Sequence, residues 1–354
     1  MYPALAVVEP LNRHGVTASD ILWVGTHGQM EEDLVPRAGL RLETVAGGPI
    51  AGVPRLTQLK NGAKLIGSIG SAWRIFGRFR PNVLLLTGGY VNLPVAIAAK
   101  LRGVPSAVYL PDVEPGAAIR RIEPLVEKIA CTTEGSKQFL PESKLVVTGY
   151  PVRKELRAAL NISQAEARQA LGLDPERFTL FVFGGSRGAQ SINRALMAIL
   201  PDLLTDAQVV HVSGTLTWPE VETFAATLPE ALRERYKPFP YLHEEMATAF
   251  RSADLVVARA GASMLGECPA FGVPSILVPY PHAWRYQKVN ADFLADQGAG
   301  IRMNDEDMHV KLLPTIRTLV RDSAQLEKMR VAVKQLDIED AASNIAEVLI
   351  KLSR

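Results

Sequence analysis

Three stretches in the second half of the 354-residue chain combine residue types and spacings that could do chemistry. From Thr179 to Phe183 an apolar, β-prone run enters Gly184-Gly185-Ser186-Arg187-Gly188, and a helical pattern opens at Gln190 and carries Asn193. Glycines let the backbone approach a ligand, and a helix start offers free N–H groups and a positive dipole end to phosphate. A tight strand–helix turn without a ligand fits the same letters. Two phosphate motifs fail on spacing. No Lys-Ser/Thr pair follows the last glycine, so this is not a P-loop. The glycines do not read G-x-G-x-x-G, and the next strand, Gln208–Val212, ends at Ser213 without the acidic ribose ligand of a dinucleotide fold.

A second strand–turn–helix runs from Asp254 through Arg259-Ala260-Gly261-Ala262-Ser263 to Glu267. Ala262 and Ser263 fall at the helix start, where a diphosphate would lie. Glu267 is one turn further in, placed to accept two hydrogen bonds from a ribose diol, each worth roughly 1.5–3 kcal/mol. A solvated helical glutamate is the bland alternative. The third stretch leaves a strand at Val278 through Pro279, Tyr280, Pro281, His282, Trp284, Arg285, Tyr286, Gln287 and Asn290. Loops at the carboxyl ends of parallel strands are where such folds bind ligands. His282 has no second ligand nearby, so no metal is expected.

Together, and in this order, the three stretches resemble the donor half of MurG-type glycosyltransferases of family 28, which show GGSxGAxxxN, RxGAxxxxE and PxxHxxxxQxxNA. The resemblance extends to the first half through Gly88-Gly89-Tyr90-Val91, the Gly149-Tyr150-Pro151-Val152-Arg153 link, and Met30-Glu31 with Leu34-Val35-Pro36. It implies transfer of N-acetylglucosamine from UDP-N-acetylglucosamine to lipid I, with no cofactor. It further implies that Arg153 and Ser186 bind the donor, Glu267 holds the ribose, Gln287 meets sugar hydroxyls, and Leu242 and His243 meet uracil. Gly88, Gly89 and Tyr90 would face the acceptor. Arg153 has its own logic, since a cation beside a departing diphosphate stabilises developing charge.

Three departures bear on the acceptor side and the sugar. The family's GGTGGH turn would stand immediately before Met1 and is not in the sequence; Tyr109-Leu110-Pro111-Asp112 replaces its HEQN; Tyr286 replaces the first glutamine of its QQ pair. With the family histidine missing, Asp112 is the candidate general base. A doubly wound domain normally opens with a strand and a glycine turn, whereas this chain opens on the helical pattern after Pro3. A weakened N-terminal domain and little or no transfer are therefore expected of the chain as given. The rival readings are an isomerase of the UDP-N-acetylglucosamine 2-epimerase kind and a silent UDP-binding protein.

Between Arg55 and Arg80 lie six cations and no acid, interleaved with Leu65, Ile66, Ile69, Trp73, Ile75, Phe76 and Phe79. Trp73, Arg74, Phe76 and Arg78 are the expected contacts with an anionic membrane surface. A packed helix with a solvated basic face has the same composition.

The elements that must position these residues alternate. Short apolar runs at Ile21–Val24, Val83–Leu86, Ser106–Leu110, Lys144–Val147, Thr179–Phe183, Gln208–Val212, Leu255–Val257 and Ser275–Val278 are separated by amphipathic stretches such as Val91–Leu101, Gln190–Leu200 and Met264–Phe271. That pattern predicts parallel sheets covered by helices on both faces. The resemblance makes it two Rossmann-like doubly wound α/β domains facing across a cleft, the GT-B arrangement. The expected division is residues 1–149 on the acceptor and membrane side and 150–340 for the donor, with the helix at 341–354 returning to the first domain. A net charge of +2 suggests no nucleic-acid partner. Cys131 and Cys268 lack disulfide or metal spacing, and no run approaches the ~18–20 apolar residues of a membrane span. A cytoplasmic protein is expected, peripheral on the inner face of the cell membrane if its acceptor is lipid-linked.

Overall fold

The computed structural model describes residues 1–46, 55–89, 91–185, 188–282 and 285–354, and the side chains of 55–65 are not among what it describes. Tyr90 and Ser186 therefore lie outside the described residues. The chain forms two compact units, one of residues Met1–Pro151 with Asp340–Arg354, the other Val152–Glu339.

In the first unit, β1 (Leu22–Gly25) pairs with β2 (Arg41–Thr44), and β3 (Leu84–Leu86), β4 (Ser106–Leu110), β5 (Lys128–Cys131) and β6 (Leu145–Val147) form a separate parallel sheet in chain order. β4 is buried at every position, so its continuous apolar run reads as an interior strand. The helices Tyr2–Arg13 and Ala341–Leu352 pack together on one face, burying Val7, Ile345, Ala346 and Leu349 against Ala107, Tyr109 and Ala130. On the other face lie the helices Arg55–Phe79 and Asn92–Leu101. Phe76 is buried there with Ala72, Ile75 and Val95, being 4% exposed. This corrects the expectation that Phe76 meets a membrane. Phe76 is buried within the core cluster that also holds Leu86 and Val108, while Trp73, three residues earlier, is 40% exposed.

The second unit holds a six-stranded parallel sheet in the order β12-β11-β10-β7-β8-β9. Its strands are β7 (Thr179–Phe183), β8 (Gln208–Val212), β9 (Tyr236–Phe239), β10 (Leu255–Ala258), β11 (Ser275–Leu277) and β12 (Gly300–Arg302). The chain winds outward from β7 to one edge, returns to β10 beside β7, and winds to the other. The order therefore reverses between β7 and β10, the place where such sheets bind ligands. The helix Gln190–Asp206 runs through Pro201, past the expected end at Leu200. Burial of Leu200, Leu203 and Leu204 outweighs the backbone hydrogen bond that proline forfeits.

Candidate functional site

One row of residues crosses the second sheet at its carboxyl end. Phe239 pairs with Val212, Val212 with Phe183, Phe183 with Ala258, Ala258 with Leu277, and Leu277 with Arg302. Each stretch singled out in the sequence begins next to this row. Gly184 follows Phe183, Arg259 follows Ala258, Val278 and Pro279 follow Leu277, and Leu242 and His243 follow β9 by a few residues. Residues as far apart in the chain as Phe183 and Arg302 are thus delivered to one rim of one sheet.

The turn after β7 admits only glycine at two places. A Cβ on Gly184 would lie 2.1 Å from the Ala189 nitrogen, and one on Gly188 would lie 2.2 Å from the Ser213 carbonyl oxygen. Gly188 has φ +77° and donates its N–H to the Gly185 carbonyl at 2.9 Å. At Gly184 and Gly188 the backbone therefore packs where a side chain has no room, as a phosphate-binding turn allows.

Across the switch point, Arg259 ties four pieces of chain together. Its guanidinium donates to Ser191 Oγ at 2.6 Å, to the carbonyls of Val278 and Pro279, and to Asp305 in a short ion pair. Ser191 Oγ also donates to Asp305 at 2.9 Å. The first turn of the Gln190–Asp206 helix, the loop after β11 and the loop after β12 are all pinned to the end of β10. Asp305 escaped the sequence reading because β12 is only three residues long; an acidic cluster three residues past a strand was the available signal.

Glu267 lies one turn into the helix Met264–Phe271 and is partly buried. Burial pushes its carboxyl above the ordinary glutamate range, opposed by a hydrogen bond with Ser263 and the nearby charge of Arg153. Arg153, Ser263 and Glu267 are accordingly close. Ala262 sits beside them in the turn before that helix. Gln287 accepts the Tyr280 N–H through Oε1 at 2.8 Å, which leaves its amide NH2 as the end it can offer a ligand. Asn290, fully buried, donates to the Ala260 carbonyl at 3.1 Å and so joins the second and third stretches. Leu242 is buried, and the exposed His243 ring meets Tyr241 edge to face at 4.6 Å.

The remaining candidates belong to the first unit. Gly88 and Gly89 follow β3, where the Asn92 amide donates to the Gly88 carbonyl. Asp112 follows β4 and is partly buried. Trp73 is 40% exposed with the Arg102 guanidinium 4.1 Å from its ring centroid. Arg74 is exposed, and Arg78 is held in a two-pronged pair by Glu43. Among the described residues, no group of three or more His, Cys, Asp or Glu is arranged to hold a metal, and no helix is long and apolar enough to cross a membrane.

Residues 1–130 match the glycosyltransferase family 28 N-terminal domain, and residues 179–345 match the family 28 C-terminal domain. The chain is 35% identical to a UDP-N-acetylglucosamine--N-acetylmuramyl-(pentapeptide) pyrophosphoryl-undecaprenol N-acetylglucosamine transferase of Roseiflexus sp. (strain RS-1), over 99% of this chain and 91% of that protein. It is 37% identical to a protein of the same description from Moorella thermoacetica, over 99% of this chain and 95% of that one. Among solved structures it resembles Acinetobacter baumannii MurG, with a TM-score of 0.77 at 24% identity over 99% of this chain and 95% of that chain. A UDP-GlcNAc 2-epimerase from Neisseria meningitidis gives 0.67 at 14% identity, covering 98% of this chain and 95% of that one. Both structural likenesses speak to the fold.

Proposed function

The chain belongs to glycosyltransferase family 28, and from that membership we propose that it transfers N-acetylglucosamine from UDP-N-acetylglucosamine to undecaprenyl-pyrophosphoryl-N-acetylmuramyl-pentapeptide. The observation that carries this reading is the shared rim of the second sheet, where the glycine turn after β7 and the Arg153–Ser263–Glu267 group flank the strand-order reversal.

On this reading the 184–188 turn, with Ser186, Ala262 and Ser263, cradles the diphosphate, while Arg153 supplies positive charge beside it. Glu267 accepts the ribose hydroxyls. Gln287 donates its amide to the sugar, and Leu242 and His243 flank the base. The acceptor hydroxyl oxygen attacks the anomeric carbon as the bond from that carbon to the β-phosphate oxygen breaks, and UDP departs with the bonding electrons. The hydroxyl proton goes to a base, for which Asp112 beyond β4 is the candidate, with the Gly88–Tyr90 turn on the acceptor side. The activated donor supplies the driving force, so the step needs no cofactor. Charge gathering on the departing diphosphate is what Arg153 and the turn N–H groups offset.

A lipid-linked acceptor places the reaction at a membrane. We assign peripheral attachment on the inner face to the outward side of the Arg55–Phe79 helix, through Trp73, Arg74 and Arg78, with Phe76 removed from the set. The test is incubation with labelled UDP-N-acetylglucosamine, with and without lipid I in vesicles. Acceptor-dependent UDP release with label in the lipid is expected. Acceptor-independent formation of a C2 epimer would instead make the chain an isomerase, and UDP binding without turnover would make it a binding protein.

A further inference from the structure

Behind the glycine turn runs a buried polar chain that the donor contacts do not use. Tyr236 in β9, His211 in β8 and Asn193 in the helix after the turn are each 2% exposed or less. The Tyr236 hydroxyl lies 2.7 Å from His211 Nδ1, and His211 Nε2 lies 3.0 Å from Asn193 Oδ1. Asn193 Nδ2 donates to the Ser213 carbonyl at 2.8 Å and to Thr217 Oγ1 at 2.6 Å, and Thr217 Oγ1 donates to the same carbonyl at 2.8 Å.

These partners fix every proton. The Asn193 nitrogen must face the Ser213 carbonyl, so its oxygen faces His211 and can only accept. His211 therefore carries its proton on Nε2, and Nδ1 accepts from the Tyr236 hydroxyl. Burial pushes the His211 imidazolium down to about 3, so the ring is neutral at working pH. The Ser213 carbonyl that ends this chain is the atom against which Gly188 is packed, at a closeness that excludes any Cβ. A fully satisfied buried network has one arrangement, and that arrangement is passed to the turn.

We propose that His211 is a positioning residue for the donor turn: clamped by Tyr236, it orients Asn193, which sets the Ser213 carbonyl against which Gly188 of that turn is packed. The proposal rests on the assignment of that turn to the donor diphosphate.

The test compares the full-length protein with His211→Leu, His211→Gln and Tyr236→Phe, using UDP calorimetry and steady-state transfer. His211→Leu strips Asn193 Oδ1 of its donor and should raise the UDP Kd and the donor KM about tenfold. Acceptor KM should hold near wild type, while kcat at saturating donor should fall along with donor affinity, because the turn N–H groups also offset charge on the departing diphosphate. His211→Gln, which can donate to Asn193, should recover most of the loss, and Tyr236→Phe should show a smaller effect of the same kind. If His211→Leu does not fold, the wild-type histidine spectrum decides, where an Nε2–H resonance that moves on UDP addition is expected. Unchanged UDP affinity in folded His211→Leu, a parallel rise in acceptor KM, or an Nε2–H signal indifferent to UDP would each overturn the proposal. A wild-type protein that binds no UDP would instead overturn the donor-site reading itself.

Discussion

Arg259 and Asp305, 46 positions apart in the chain, are joined in an ion pair that leaves them 12% and 18% exposed, with Ser191 bonded to both. The pair acts as a brace for the candidate donor site, because one helix turn and two loops meet at one guanidinium. Lysine keeps the charge but loses the fork that reaches Ser191, two carbonyls and the carboxylate together. Arg259→Lys is therefore expected to weaken UDP-N-acetylglucosamine binding about tenfold and lower stability by about 1–3 kcal/mol. Calorimetry and denaturant melts measure both. Wild-type values in each would show that the loops hold without the brace.

Glu267 gives the site a pH dependence of calculable sign. Burial raises its folded-state pKa, and on the proposed reading it is the charged carboxylate that accepts both hydroxyls of the ribose diol. As pH falls through that raised pKa, the free protein takes up a proton that the donor must expel, so affinity drops by up to tenfold per pH unit. UDP-N-acetylglucosamine is the better ligand here because its diphosphate, esterified at both ends, does not titrate in this range. Affinity should decline at a pH above the ordinary glutamate range, and Glu267→Gln should bind weakly with no such decline. A wild-type profile flat down to the ordinary range would remove Glu267 from the donor.

Trp73 and Phe76 should separate membrane binding from folding. Phe76 is buried in the first unit's core, so Phe76→Ser is expected to cost about 3–5 kcal/mol of stability. Trp73→Ser removes a half-exposed ring and should leave most stability intact while weakening attachment to anionic vesicles. That attachment should fall with salt. Vesicle binding by Trp73→Ser equal to wild type would return this helix face to ordinary solvent.

The two sheets of the first unit leave β1 and β3 each with a ladder partner on one side only among the described residues. Amides with a missing neighbour open locally at low cost. Hydrogen exchange is expected to be faster in Leu22–Gly25 and Leu84–Leu86 than in β7 or β10, which are paired on both sides. Exchange no faster in those two strands than in β7 and β10 would show that other contacts protect these edges.

Much of the second unit was legible in the sequence because its interior strands are continuous apolar runs. Thr179–Phe183 and Gln208–Val212 are buried at all five positions and apolar but for Thr179, Gln208 and His211. The strands that escaped lack that signature. Tyr236–Phe239 carries Pro238, tolerated because β9 is an edge strand, and Gly300–Arg302 is three residues long on the opposite edge. Arg41–Thr44 mixes charged and apolar residues and has one neighbour, and Lys128–Cys131 is short and begins on a lysine. The glycine turn and the glutamate one turn into a helix were likewise readable, since turn geometry and helical spacing are local. What only the tertiary structure decided is non-local. Composition made Trp73 and Phe76 equivalent on one helix, and packing against Val95 and the sheet buried one of them. Arg259 was visible as a residue, but its bond to Asp305 depends on the chain returning to β10 beside β7, and strand order is set by how the whole sheet buries its faces.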